Sequence, residues 1–420
     1  MYSPGICRHY LSGSRNLFKI QQQNKSIRYA SYASTLPERF YNEEQLEMQS
    51  TLKKVIDAEI NPHVNKWEDE LQFPSHEIFK KLGHLGLLGV NKPTENGGLG
   101  LSYKYQAAIL EELGSINCGG VPSAISVHTD MATPALTLYG SNELKKEFLD
   151  PAIQGETVAC VAVSEPSAGS DVAGLKTTAV RKGDDYVING EKIWITNGMK
   201  ADWTCLIANT SQGAPHKNKS LIIVPLNSKG VTRTKIRKMG LHCSDWAQLH
   251  FEDVRVPVKN LIGEEGKGFT YQMLQFQDER LACCLTIFKA LDNLISETVQ
   301  YTGQRKAFGK SILDNQAVSF RIGELATEVE ALRALTYKAV DLKEQGQDVT
   351  LLASMAKLKA GRLAREVTDG LLQYWGGMGY SQETLVSRFY RDLRPLSIAG
   401  GADEVMLQII SKMTGMAGKK

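Results

Sequence analysis

At 420 residues the chain is too long for one ordinary domain, and its 42% hydrophobic and 23% charged residues suit two or three globular cores. Lys plus Arg number 49 and Asp plus Glu 46, a net charge of +3 whose near-balance argues against a broad nucleic-acid-binding face. No apolar run approaches the roughly 20 residues that span a bilayer, so a transmembrane helix is excluded.

The charge is unevenly spread. Residues 1–37 hold no Asp or Glu, while Arg8, Arg15, Lys19, Lys25 and Arg28 supply five positive charges among six Ser. Leu11, Leu17, Phe18 and Ile20 add a loosely amphipathic stripe. This is the composition of a mitochondrial transit peptide, expected over residues 1–34 with removal near 30–34; a disordered basic tail is the plainer alternative. Without that segment 44 basic residues face 46 acidic ones, a net charge of −2.

Residues 36–156 read as a helical domain. Leu46, Met48, Leu52, Val55, Ile56 and Ile60 form a helical stripe over 43–60. Pro74-Ser75 starts a second helix, Ala107, Ile109, Leu110 and Leu113 mark a third, and 123–138 reads as a fourth. From 157 to 264 the pattern changes to short β-rich runs, at 158–163, 177–180, 186–188, 192–196, 203–208, 220–225, 230–236 and 247–254. Asp184-Asp185 and Asn189-Gly190 read as hairpin turns between them. From 265 to 420 helical periodicity returns: 269–304 reads as one long helix, Ile322, Leu325, Val329, Leu332 and Leu335 mark another, and 351–373 a third. The expected fold class is α+β multidomain: an N-terminal all-α domain, a central β-barrel or sandwich, and a C-terminal four-helix bundle. The seven Cys and eight His are dispersed without ligand spacing, so they read as reduced thiols with no metal site expected.

Two segments carry chemistry. Val163-Ser164-Glu165 through Ser170-Asp171 is a strand ending in a loop of small and hydroxyl residues that admits a polar ring closely; a plain capped turn is the other reading. Lys192 to Gly198 places Trp194 and Thr196 at alternate positions of one strand face, suited to stacking a flat cofactor, though a core Trp is the commoner use.

These segments also resemble a known family, the acyl-CoA dehydrogenases. Ser164-Glu165-Pro166 through Asp171 is similar to its T-E-P-x-A-G-S-D signature, and Asn189-Gly190-Glu191-Lys192 through Gly198 to its N-G-x-K-x-W-I-T-N strand. Arg305-Lys306-Ala307-Phe308-Gly309 resembles R-x-x-F-G, and Gln373 to Gly377 with Gly379-Tyr380 resembles Q-x-x-G-G-x-G-Y. The resemblance runs from about residue 38 to the end and implies FAD as cofactor. Val161, Val163, Ser164, Trp194 and Thr196 would surround the flavin ring, and Arg305 with Phe308 would reach the pyrophosphate region of a neighbouring subunit's FAD. Gln316, Gln373, Trp375, Gly376 and Gly377 would contact its remaining parts, and Ala402 and Glu404 stand where further cofactor contacts occur.

The reaction so implied is α,β-dehydrogenation of an acyl-CoA to the trans-2-enoyl-CoA, which needs a carboxylate base in a dry pocket. In most of the family that base is the Glu of a Y-E-G-T segment; here Gly400 stands in its place, followed by Gly401, and Ala402 replaces the Thr. The isovaleryl and long-chain types carry the base on a helix in a segment ending Glu-Arg-Leu, and this chain has Glu279-Arg280-Leu281. Glu279 is therefore the expected catalytic residue, with Ser170, Phe276, Gln277, Arg280, Gly400 and Gly401 at the substrate. The two glycines leave room for a branched or longer acyl chain, and the segment around them also resembles citronellyl-type members. Electron-transferring flavoprotein as partner, a homotetramer and a mitochondrial-matrix location are implied by the resemblance alone. An oxygen-using oxidase and a catalytically silent flavoprotein scaffold remain the rival readings.

Overall fold

A computed structural model describes residue 32 and residues 34–416. The expected leader therefore lies outside the described residues, apart from Tyr32 and Ser34. Those two hydroxyls donate to the Glu330 carboxylate at 2.7 and 2.8 Å, and the Tyr32 carbonyl accepts from Ser296 at 2.7 Å.

The helical first part is built from α1 (Glu43–Val55), α2 (Ser75–His84), α3 (Tyr103–Leu113), α4 (Gly120–Ser126) and shorter turns. Asn42 and Gln45 exchange side-chain and backbone bonds at the start of α1, a capping box that satisfies two orphan donors. Leu52, Ile56 and Ile60 from the apolar stripe are wholly buried. The single helix expected over 123–138 is broken. A widened turn, Val127–Ala132, follows α4, and a separate helix begins at Pro134, which has no N–H to continue the ladder. Buried inside that turn, His128 joins the helical part to the sheet: its Nε2 donates to Ala152 O and its Nδ1 accepts from Ala159 N, both at 3.0 Å.

The central part is a sheet of eight strands: β1 (Ala159–Ala162), β2 (Thr178–Lys182), β3 (Asp185–Thr196), β4 (Trp203–Asn209), β5 (Lys219–Pro225), β6 (Val231–Lys235), β7 (Trp246–Pro257) and β8 (Leu261–Ile262). The order is β6-β7-β3-β2-β4-β5-β8, with β1 parallel to β4. Strands β2 and β4 share one residue pair, Thr178 with Asn209, so two half-sheets meet at a corner. The turn between β2 and β3 falls at Gly183-Asp184, one residue earlier than expected. Asn189-Gly190 makes no hairpin. It is a bulge within β3, because β7 pairs with the strand on both sides of it. The Asn189 side chain bonds Asp253, and Gly190 takes φ +143 where a Cβ would lie 2.6 Å from the Thr177 hydroxyl.

The last part packs α5 (Gly268–Leu285), α6 (Phe288–Gln304), α7 (Gln316–Glu344) and α8 (Thr350–Trp375), with α9 (Leu385–Asp392) and α10 (Asp403–Met413) against α8. The one long helix expected over 269–304 is two. The chain turns at Thr286-Ile287, where Thr286 crowds against Gly114: a Cβ there would lie 2.6 Å from its carbonyl. A fully buried Arg333 on α7 locks the bundle to the first part. It donates to Asp292 of α6 at 2.8 and 2.7 Å and to Glu111 of α3, which also accepts from Tyr41 and Tyr337. Burial raises the Asp292 pKa to about 6, against the pull of Arg333. The thiols of Cys118 and Cys243, 125 residues apart, meet at 3.5 Å.

Candidate active site

The two chemistry-bearing β segments are neighbours. Ile193 N donates to Ser164 O at 2.9 Å, and the Lys192 ammonium donates to Val163 O at 2.8 Å and to Glu165 at 2.9 Å. Glu165 also accepts from the Lys176 and Thr177 amides at 2.6 and 2.9 Å, which fixes the loop that follows β1. Burial lowers the Lys192 pKa to about 8, opposed by Glu165; burial raises that of Glu165, but Lys192 and the amide donors outweigh it and leave the carboxyl below its ordinary value. This buried pair was not anticipated, since neither residue stands out by spacing. Val161, Val163 and Ser164 are half-buried at the end of β1, and Ser170 is exposed beyond them.

Trp194 and Thr196 do not simply alternate on a flat strand face. The β3–β7 register slips between Lys192 and Ile195, and Trp194 takes φ +64. The bulge pushes the indole outward, 53% exposed, with its edge against Trp246 and Thr196 half-buried beside it. An apolar shelf next to a hydroxyl and a strand end suits a flat polar ring, so these residues fit the flavin part of FAD.

Glu279 lies on α5 facing the Gly400–Gly401 loop. A Cβ on Gly400 would sit 3.5 Å from Glu279 Oε1 and 3.6 Å from Cys283 Sγ. The two positions that compensate each other in sequence therefore meet in space. Enclosure by protein raises the Glu279 carboxyl from 4.5 to about 7, opposed by Arg280 and Lys357. That value suits a base working near neutrality. Arg280 is buried and donates to Ser354 Oγ at 3.3 Å, while Gln277 donates to Thr350 Oγ1 at 2.6 Å; both thus bind α8. Phe276, one turn before Arg280, is half-buried. Cys283 and Lys357 are members of this cluster that motif reading missed. Cys283 is one helical turn past Glu279, a signal that could have found it.

The remaining expected cofactor residues gather elsewhere. Arg305 follows α6, and Phe308-Gly309 form a two-residue turn with φ +52 and +81 that leaves the Phe308 ring fully exposed. Trp375 stacks on Tyr301 at 4.1 Å and donates to Thr298 at 3.0 Å, so its indole is engaged within the bundle. Tyr374 reaches Ala317 O at 3.4 Å, beside Gln316. Arg305, Gln316, Gln373, Gly376 and Gly377 are exposed, and Cβ atoms on the two glycines would meet nothing within 4 Å. Along α8 this patch lies roughly 24 Å from Lys357 at 1.5 Å per residue. Within one chain it does not close the Glu279 site. Its open glycines and guanidinium suit the phosphate and sugar parts of FAD. Ala402 and Glu404 flank the start of α10, the first half-buried and the second exposed.

Family models for the N-terminal, middle and C-terminal domains of acyl-CoA dehydrogenases match residues 42–156, 160–254 and 266–414. The long-chain specific acyl-CoA dehydrogenase, mitochondrial, of Sus scrofa is 36% identical over 377 residues, covering 89% of this chain and 87% of the relative. The short-chain specific acyl-CoA dehydrogenase, mitochondrial, of Rattus norvegicus is 33% identical over 365 residues, 87% of this chain and 88% of the relative. The crystal structure of an acyl-CoA dehydrogenase from Geobacillus kaustophilus superposes with a TM-score of 0.86 at 37% identity, covering 90% of this chain and 99% of the other. The chain belongs to the acyl-CoA dehydrogenase family, and it is an FAD-dependent oxidoreductase acting on acyl-CoA.

Proposed function

We propose that the chain oxidises an acyl-CoA to its trans-2-enoyl thioester with Glu279 as the base. The observation that carries this is the half-buried Glu279 carboxylate facing Gly400. Glu279 takes the α proton. Bound FAD supplies the hydride acceptor for the β hydrogen. Gly400, with no side chain, leaves space for the reacting carbons, and its backbone N–H offers a donor to a thioester carbonyl as negative charge develops on the oxygen. Val161, Val163, Ser164, Trp194 and Thr196 hold the ring, Ser170 meets the CoA portion, and Arg305, Phe308, Gln316 and Gln373 to Gly377 serve the cofactor of a neighbouring copy in a homotetramer.

The relatives named above are specific for long and for short chains, so kinship leaves chain length open. Room at Gly400–Gly401 favours a methyl-branched or longer acyl group. A matrix location and electron-transferring flavoprotein as acceptor accompany this reading, supported by the composition of residues 1–34 and by mitochondrial relatives. Since Tyr32 and Ser34 are bonded to the bundle, a leader boundary upstream of Tyr32 preserves those contacts.

The test is anaerobic flavin bleaching by a panel of acyl-CoAs, followed by turnover with an artificial acceptor and measurement of peroxide. Bleaching with little peroxide supports the dehydrogenase. Peroxide at the turnover rate favours an oxidase, and no bleaching with any acyl-CoA favours a silent scaffold.

A further inference from the structure

Lys357 lies on α8 and is 1% exposed, yet its ammonium meets a backbone carbonyl, Gly401 O, rather than a carboxylate. Desolvating an ammonium without a paired anion is unfavourable, so the position calls for a reason. The loop it binds supplies one. Ala399 N closes on Pro395 O at 2.8 Å, and Met406 N on Ala402 O at 3.0 Å. Between them Gly400 and Gly401 take φ +62 and +98, and among the described residues the Lys357 bond is what ties them down. Lys357 and Glu279 both border Gly400 without forming an ion pair: a Cβ there would be 3.9 Å from Lys357 Cε and 3.5 Å from Glu279 Oε1.

We propose that Lys357 is a positioning residue for proton abstraction: it clamps the two-glycine loop opposite Glu279 and sets a positive charge beside the ionised base. This rests on Glu279 being the base. Other charged and titratable groups surround the site: Asp278, Arg280 and Cys283 on α5, Lys343 on α7, Asp403 on α10, and Asp130 with Lys92 from the first part. Arg280 is turned to Ser354, Lys343 is paired with Asp278, and Lys92 donates to Thr129 O. Lys357 is the cation in this group that touches the glycine loop.

The experiment compares FAD-loaded Lys357→Met, which removes tether and charge, with Lys357→Gln, which keeps a donor for Gly401 O and loses the charge. Flavin bleaching is followed anaerobically from pH 5.5 to 9, with the flavin spectrum and melting point confirming folding. Both variants are expected to move the acidic limb of the rate profile upward by about one pH unit, since a neighbouring cation favours the ionised carboxylate. The Met variant should bleach about 100-fold more slowly at neutral pH and bind an enoyl-CoA product more weakly than the Gln variant, which retains the tether. A structural role alone would lower the melting point without moving the limb. If both folded variants keep the wild-type limb and rate while Glu279→Gln is inactive, the role of Lys357 is refuted and the base stands. If Glu279→Gln bleaches normally, the base assignment fails and this proposal with it.

Discussion

Replacing Glu279 by Gln keeps the shape of the side chain and removes its charge, so one change addresses both mechanism and stability. A carboxyl raised from 4.5 to about 7 has lost at most about 3 kcal/mol of its preference for ionisation. Because Glu279 is only half-buried, solvent screening leaves about 1–2 kcal/mol as the size to expect. A folded-state pKa above the unfolded value means that the contribution is present below about 4.5 and lost as pH rises through about 7. The Gln protein should therefore match wild type near pH 4.5 and melt a few degrees higher at pH 8. Its rate should move the other way. A missing general base slows the step by about 10²–10⁴-fold, and wild-type bleaching should itself fall about tenfold per pH unit below about 7. Anaerobic stopped-flow at the flavin absorbance, with thermal melts at the two pH values, reads both quantities. Wild-type bleaching by the Gln protein would falsify the base assignment; equal melting points at pH 8 would remove the enclosed-charge argument.

Breaking the buried Lys192–Glu165 pair with Lys192→Met should destabilise the protein by about 3–5 kcal/mol and loosen the loop after β1, visible as a lower melting point and easier loss of FAD on dialysis. Gly400→Ala forces a Cβ into a left-handed residue at about 1 kcal/mol and sets it against the Glu279 carboxylate, so bleaching should slow at least tenfold with little change in the global melt. A wild-type rate there would show that the loop lies away from the reacting carbons. Arg305→Ala removes an exposed guanidinium and should leave the fold intact while weakening FAD retention tenfold or more, measured by flavin release on dilution; unaltered retention would count against the shared-cofactor reading.

What the amino-acid order settles here is local and periodic. The apolar stripe that begins in α1, the Ile322 to Leu335 stripe of α7 and the change from period 3.6 to period 2 near residue 157 follow from which side chains must leave water; the first runs past the end of α1 at Val55 into a widened turn at Ile56–Ile60. The pairing of Gly400 with Glu279 was implied by the family resemblance, in which Gly400 stands where most members carry a Glu and Glu279 matches the alternative position. Other features depended on partners distant in sequence. Asn189-Gly190 carries a turn signal, yet β7 offers hydrogen bonds on both sides of it, and a bulge in a longer strand keeps more of them than a hairpin would. The periodicity over 269–304 runs on through a break at Thr286, where Gly114 from another domain leaves room for the Thr286 carbonyl. Lys357 has no signal at all in its own segment: a lysine in a long helix ordinarily points to water. It is buried at Gly401 because α8 and the glycine loop are brought together by packing over 44 residues of sequence separation. The chain alone determined the broad order of helical and β-rich parts and offered Glu279 opposite Gly400 as the candidate base. Tertiary structure decided what surrounds that base, because burial and charge at a point are set by everything packed around it.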